Sequence, residues 1–161
     1  MTNKERIIAT KNVNVFIMMK YGNTKQHHLL EETIRKTLKK YDLVARLAKD
    51  GSIYDDLWLN VKFYMDNCNY GIAIFDEIDR KEINPNVSIE LGYFFAQEKR
   101  CLLLKDSKID KLPTDLCGKL YREFNVFEIE KTTEDQVQTW CRKDLELNEI
   151  NQREITMLEK E

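Results

Sequence analysis

The stretch Asn84-Pro85-Asn86-Val87-Ser88-Ile89-Glu90-Leu91-Gly92-Tyr93-Phe94-Phe95 holds an acidic side chain where an apolar one is expected. It lies between two apolar runs, Tyr70–Phe75 and Cys101–Leu104, and so reads as the helical crossover of a strand-helix-strand unit. On that helix Glu90 shares a face with Val87, three residues earlier, and Phe94, four later, which sets a carboxylate on the stripe that packs against the sheet. Such a group suits reaction at a sugar carbon losing a nitrogen base. Glycosidic cleavage passes through an oxocarbenium-like transition state that an ionised carboxylate can attack or stabilise. The helix amino end favours ionisation of Glu90, and the N–H groups around Asn86 and Val87 suit a phosphate. Asp76 is the candidate second acid for the departing base, with Asp55 and Asp56 as alternatives; a nicotinamide cation needs none, because it leaves as a neutral molecule. The competing reading is a helix-edge glutamate that reaches into water or pairs with a lysine.

The elements that must position these groups follow from the hydrophobic pattern. Val13–Met19 is β-rich and apolar, as a central strand buried on both faces would be. Lys20-Tyr21-Gly22-Asn23 makes a turn, and Thr24–Tyr41 carries Leu30, Ile34 and Leu38 on one side of a helix. Leu43–Ala48 is expected as the second strand, Ile53–Asn69 as the second helix and Tyr70–Phe75 as the third strand. Asn84 is a suitable N-cap and Pro85 suits the first helical position, so the start of the crossover helix is well specified. Cys101–Leu104 is the fourth strand. A loop with Pro113, a short helical piece over Asp115–Tyr121, a fifth strand at Val126–Ile129 and a final helix opening at Thr132 complete the pattern. Its apolar side is Val137, Trp140, Cys141 and Leu145.

Strands alternating with helices specify an α/β fold: a flavodoxin-like, doubly wound sheet of about five mostly parallel strands with helices on both faces. The expected organisation is an amino-terminal tail over 1–12, one α/β domain over 13–147 and a charged tail or helix extension over 148–161. Ligands of such sheets bind outside the carboxyl ends of the strands. That rule nominates Lys20, Tyr21 and Gly22 after the first strand, Asp76 after the third, and Asn86 and Ser88 in the first turns of the crossover helix. Asp55, Trp58 and Tyr93 join them as substrate-binding candidates, with Tyr21, Trp58 or Tyr93 stacking on a base and Lys20 meeting a phosphate.

Composition excludes several classes. With 26 Lys and Arg against 28 Asp and Glu, the formal net charge of -2 lacks the basic footprint of a nucleic-acid binder. No apolar run approaches the roughly 20 residues of a membrane helix, and Met1–Asn12 lacks the apolar core of a secretory signal, so a soluble cytoplasmic protein is expected. Cys68, Cys101, Cys117 and Cys141 are too scattered for a metal or redox motif, and the adjacent His27 and His28 point apart and are expected at the surface. No metal or resident cofactor is expected. The Gly-x-Gly-x-x-Gly, phosphate-loop and Gly-x-Ser-x-Gly patterns are absent, and no acidic pair follows the first strand.

The segments Tyr54-Asp55-Asp56-Leu57-Trp58, Tyr70–Asp76 and Asn84–Tyr93, with Val15–Met19 and Leu112–Gly118, resemble bacterial TIR-like, predicted nucleotide-binding proteins and their nucleoside 2-deoxyribosyltransferase-like relatives. The resemblance covers about Val13–Ile129. It implies that Glu90 acts on the sugar, as nucleophile in the transferases or in NAD cleavage by TIR-domain enzymes. Asn86-Val87 departs from the transferase approach to the glutamate, which favours the TIR-like branch. That branch implies NAD or another nucleotide as substrate or ligand, a role in bacterial anti-phage defence, and homo-oligomers in which a neighbouring chain completes the site. The alternative is a non-catalytic nucleotide-binding or signal-sensing module that docks on an effector protein through Leu145–Glu161.

Overall fold

A computed structural model describes residues 1–112 and 121–150. Its centre is a five-stranded sheet in the order β2-β1-β3-β4-β5, with every pairing parallel. The strands are β1 (Asn14–Met18), β2 (Val44–Arg46), β3 (Tyr70–Phe75), β4 (Arg100–Asp106) and β5 (Tyr121–Phe124), and the helices are α1 (Asn3–Ala9), α2 (Lys25–Lys39), α3 (Leu57–Asp66), α4 (Pro85–Ala96) and α5 (Ile129–Thr139). A 3₁₀ turn, Ala48–Asp50, follows β2, and α5 runs on into a π-helical turn, Trp140–Asp144. No helix among the described residues is long and apolar enough to cross a membrane.

The period of two along the strands divides the core into two layers. Val15, Ile17, Ile72, Ile74, Leu102 and Leu104 face α2 and α5, where Leu30, Ile34, Leu38, Val137 and the fully buried Trp140 meet them. Phe16, Met18, Ala73, Phe75 and Leu103 face α1, α3 and α4, packing on Ile7, Phe63, Tyr64, Val87, Leu91 and Phe94. Gly71 permits the second layer to close. A Cβ there would lie 2.7 Å from Met18 Cε and 3.1 Å from the Phe94 ring, which itself stacks on Phe16 at 5.9 Å.

Three expectations are corrected. Residues 1–12 are not a tail: Thr2 and Glu5 form a capping box that starts α1, and Ile7 is fully buried. The fifth strand lies at Tyr121–Phe124 rather than Val126–Ile129; Asn125 accepts from Phe127 N and donates to Thr132 Oγ1, turning the chain into α5. The second helix starts at Leu57 rather than near Ile53, because the Asp56 side chain caps it by accepting from Leu59 N at 2.7 Å. The loop around Pro113 and the helical piece over Asp115–Leu120 lie outside the described residues, as does 151–161. Of the carboxyl-terminal segment, Ile150 is tied down by its N–H to Lys40 O at 2.8 Å.

Candidate active site

Because the strand order reverses between β1 and β3, the carboxyl edge of the sheet opens a crevice there. A cleft of about 550 Å³ occupies it on the α3/α4 side, lined by Tyr21 from the β1–α2 loop, Lys49 after β2, Trp58 and Asn60 of α3, and Asn86 and Glu90 of α4. The expected α4 start is present: Asn84 caps it by accepting from Asn86 N at 2.9 Å, and Pro85 occupies the first turn. Val87, Leu91 and Phe94 then bury one stripe against the sheet, and Glu90, at the edge of that stripe, is half-buried in the cleft wall.

Among the described residues no ion pair or hydrogen bond engages the Glu90 carboxylate. Desolvation alone pushes its pKa from 4.5 up to about 7. The lysine pairing of the competing reading is absent among the described residues. The Tyr21 hydroxyl is raised from 10.0 to about 12, first by burial and then by the negative charge of Glu90, while the backbone N–H groups of Ala48 and Lys49 pull it the other way. Tyr21 and Trp58 nevertheless keep 53% and 48% of their surface exposed, so their rings are open to a ligand. Lys49, ion-paired with Glu31, holds its Nζ 5.5 Å from the centre of the Tyr21 ring.

Of the residues nominated from sequence, the structure gathers Glu90, Tyr21, Trp58 and Asn86 in this cleft. It leaves six outside the lining. Asp76 is buried on the other face of the sheet, where its Oδ1 accepts from His27 Nε2 at 3.0 Å and from Ile78 N at 3.1 Å. Lys20 pairs with Asp79 at 2.8 Å. Gly22 lies against the His27 ring, Asp55 is exposed, and Ser88 is half-buried outside the lining. Tyr93 supports the wall from behind, edge-on to Trp58 at 6.3 Å with its hydroxyl donating to Asp66 at 2.6 Å.

Sequence reasoning missed two residues that shape the site. Asn60, 5% exposed, accepts from Ile53 N and Tyr54 N and donates to Ala48 O, pinning the loop that forms the cleft floor. His27, expected at the surface, is 2% exposed; its signal was its spacing, three before Leu30 and seven before Ile34 on the buried stripe of α2. His28 is exposed, as expected. Among the described residues, His27, Asp76 and Asp79 bring donor atoms within 4.8 Å of one another, a spacing that a cation could bridge. Their polar atoms are instead engaged by each other, by Thr24 and by Lys20.

No family model and no curated protein matches the sequence. Among solved structures, the chain is similar to the CMP N-glycosidase of Clostridium botulinum, with a TM-score of 0.58 at 15% identity, covering 79% of this chain and 98% of that one. It is also similar to a 2-deoxyribosyltransferase of Bacillus psychrosaccharolyticus, with a TM-score of 0.50 at 12% identity over 73% and 90% of the two chains. A 2-deoxyribosyltransferase of Leishmania mexicana gives 0.45 at 19% identity over 57% of this chain, which spans 63% of that chain's length. The five-stranded parallel sheet and its helices thus form an α/β fold consistent with that of the nucleoside deoxyribosyltransferase-like proteins.

Proposed function

We propose that this protein cleaves the N-glycosidic bond of a nucleoside or nucleotide, with Glu90 as the carboxylate at the sugar. The observation that carries the reading is a desolvated glutamate, unpaired among the described residues, that shares the strand-end cleft with exposed aromatic rings. The base stacks on Trp58 or Tyr21, which sets the anomeric carbon against Glu90. The ionised carboxylate attacks or stabilises that carbon as the carbon–nitrogen bond breaks and the base leaves with the electron pair; a base that leaves as an anion takes the proton given up by the water of the next step, and nicotinamide leaves neutral and needs none. Water then supplies the hydroxyl that completes hydrolysis. Tyr21 lines the same cleft as Glu90, which supports its ring as a platform for the base.

The names of the structural neighbours support cleavage at this bond, and the resemblance to TIR-like proteins adds a narrower form: NAD as substrate, in bacterial anti-phage defence. Leu57 and Ile89, 78% and 58% exposed at the cleft rim, favour covering of the site by a second copy of the chain. The test is mass spectrometry after incubation with nucleosides, CMP and NAD at several protein concentrations. Free base, including nicotinamide from NAD for the narrower form, is expected from the native protein and not from Glu90→Gln. Equal turnover by Glu90→Gln would remove the role given to Glu90, and thermal stabilisation by a ligand without product would leave a binding module.

A further inference from the structure

The β1–α2 loop straddles the carboxyl edge of the sheet. Tyr21 reaches the cleft on the α3/α4 side, whereas Gly22, Thr24 and His27 lie on the α2 side. On that side the His27 ring is held at each nitrogen: Nε2 against Asp76 Oδ1 at 3.0 Å and Nδ1 against Thr24 Oγ1 at 2.7 Å. An ionised carboxylate only accepts, so Nε2 carries the proton and Nδ1 can accept from the Thr24 hydroxyl, which accepts in turn from His27 N–H at 3.1 Å. Both side chains of the His27–Asp76 pair are 1% exposed. The loop crosses directly over this ring: a Cβ on Gly22 would lie 2.2 Å from Nδ1 and 2.4 Å from Cε1. Asp76 also fixes the opening of the β3–α4 connection through Ile78 N, and Lys20–Asp79 ties the same two loops together on the other side of Tyr21.

We propose that His27, clamped between Asp76 and Thr24, is a positioning residue for the cleft: its ring is the template over which the β1–α2 loop folds, and it thereby holds Tyr21 in the cleft that Glu90 also lines. Neither His27 nor Asp76 lines the cleft, so the clamp acts through the loop rather than on a ligand. Lys20 and His27 bind the β1–α2 loop to the connection leading into α4, so the two walls bearing Tyr21 and Glu90 are set relative to each other by bonds on the far side of the sheet edge. The consequence for turnover rests on the function proposed above. The placement of Tyr21 does not.

The experiment follows Tyr21 directly. The protein is labelled with 3-fluorotyrosine and the Tyr21 fluorine resonance is assigned by its loss in Tyr21→Phe. In the native protein that resonance is expected to titrate later than free fluorotyrosine, because burial and the charge of Glu90 raise the Tyr21 hydroxyl. In His27→Ala it is expected to move toward the free position and to lose its delayed titration, while His27→Gln, which retains a donor for Asp76, restores part of the delay. Gly22→Ala, whose methyl group drives the loop off the ring, is expected to act like His27→Ala and gives the same readout from an intact histidine. A delayed Tyr21 titration in either variant, with the buried Trp140 emission unchanged, would overturn the proposal. These outcomes are read without substrate, so they remain distinct from failure of the glycosidase assay. With an active substrate, the same variants are expected to lower kcat more than they raise KM.

Discussion

Two carboxylates flank the carboxyl edge of one sheet, and their surroundings are opposite. Asp76 lies in the interior with a histidine ring and a backbone N–H on its Oδ1; Glu90 lies half-buried in a cleft wall with no partner among the described residues. A partnered buried charge is a structural tie, whereas an unpartnered one in an open cleft keeps its lone pairs and its raised pKa available for a ligand. The contrast leaves Glu90 as the group placed for the proposed chemistry and gives Asp76 a structural tie, although both are candidates for catalysis by residue type.

Activity should separate the two carboxylates most. Glu90→Gln is expected to lower base release on the order of 10³-fold, the scale of losing a principal electrostatic group at the reacting centre. Residual activity near the native level would erase the distinction between the two groups.

Stability should separate them with opposite signs. Asp76→Ala leaves the buried His27 Nε2–H without an acceptor and is expected to cost about 2 kcal/mol in urea unfolding. Glu90→Gln is expected to stabilise, by about 2 kcal/mol above pH 7 once screening of a half-buried group is allowed for. The sign follows from linkage: the folded pKa of about 7 exceeds the ordinary 4.5, so between these values the native state binds more protons than the unfolded one. The glutamate therefore weakens the fold progressively as pH rises through that window. The melting-temperature gap between Glu90→Gln and the native protein should widen from pH 4.5 to 7 and then level off. If catalysis requires the ionised form, kcat/KM should rise across pH 7 in parallel.

The smallest effect sharpens the cleft itself. Trp58→Ala is expected to raise the KM for an active nucleoside or nucleotide roughly tenfold, the scale of one lost base–aromatic stack, with little change in melting temperature because the ring is 48% exposed. An unchanged KM would move the base to Tyr21.

Much of this was legible before the structure. The unbroken apolar runs Val15–Met18 and Ile72–Phe75 announce strands buried on both faces, and Asn84-Pro85 announces the start of α4, because these signals act within a few residues. The first helix is signalled in sequence only by the Thr2–Glu5 cap, because its seven mostly polar residues are too few to show an apolar stripe. The last strand was misplaced because Tyr121–Phe124 is polar on one side and Val126–Ile129 is the more apolar run. The fate of Asp76 was half-written: it continues the alternation of Ile72 and Ile74 and so belongs to the α2 face, away from α4. What occupies that face beside it, His27, depends on how α2 lies across the sheet.

The sequence by itself determined the parallel α/β architecture, the cap and register of α4, and the presence of a glutamate on its packing stripe. Those follow from local periodicity and turn chemistry. Only the tertiary structure decided that Tyr21, Trp58, Asn86 and Glu90 share one cleft, that Lys20 and Asp76 are spent on loop contacts, and that Glu90 has neither a partner among the described residues nor full hydration. The physical reason is that desolvation and pairing depend on side chains brought together from residues 21 to 90, and strand order and face, rather than spacing along the chain, decide which of them meet.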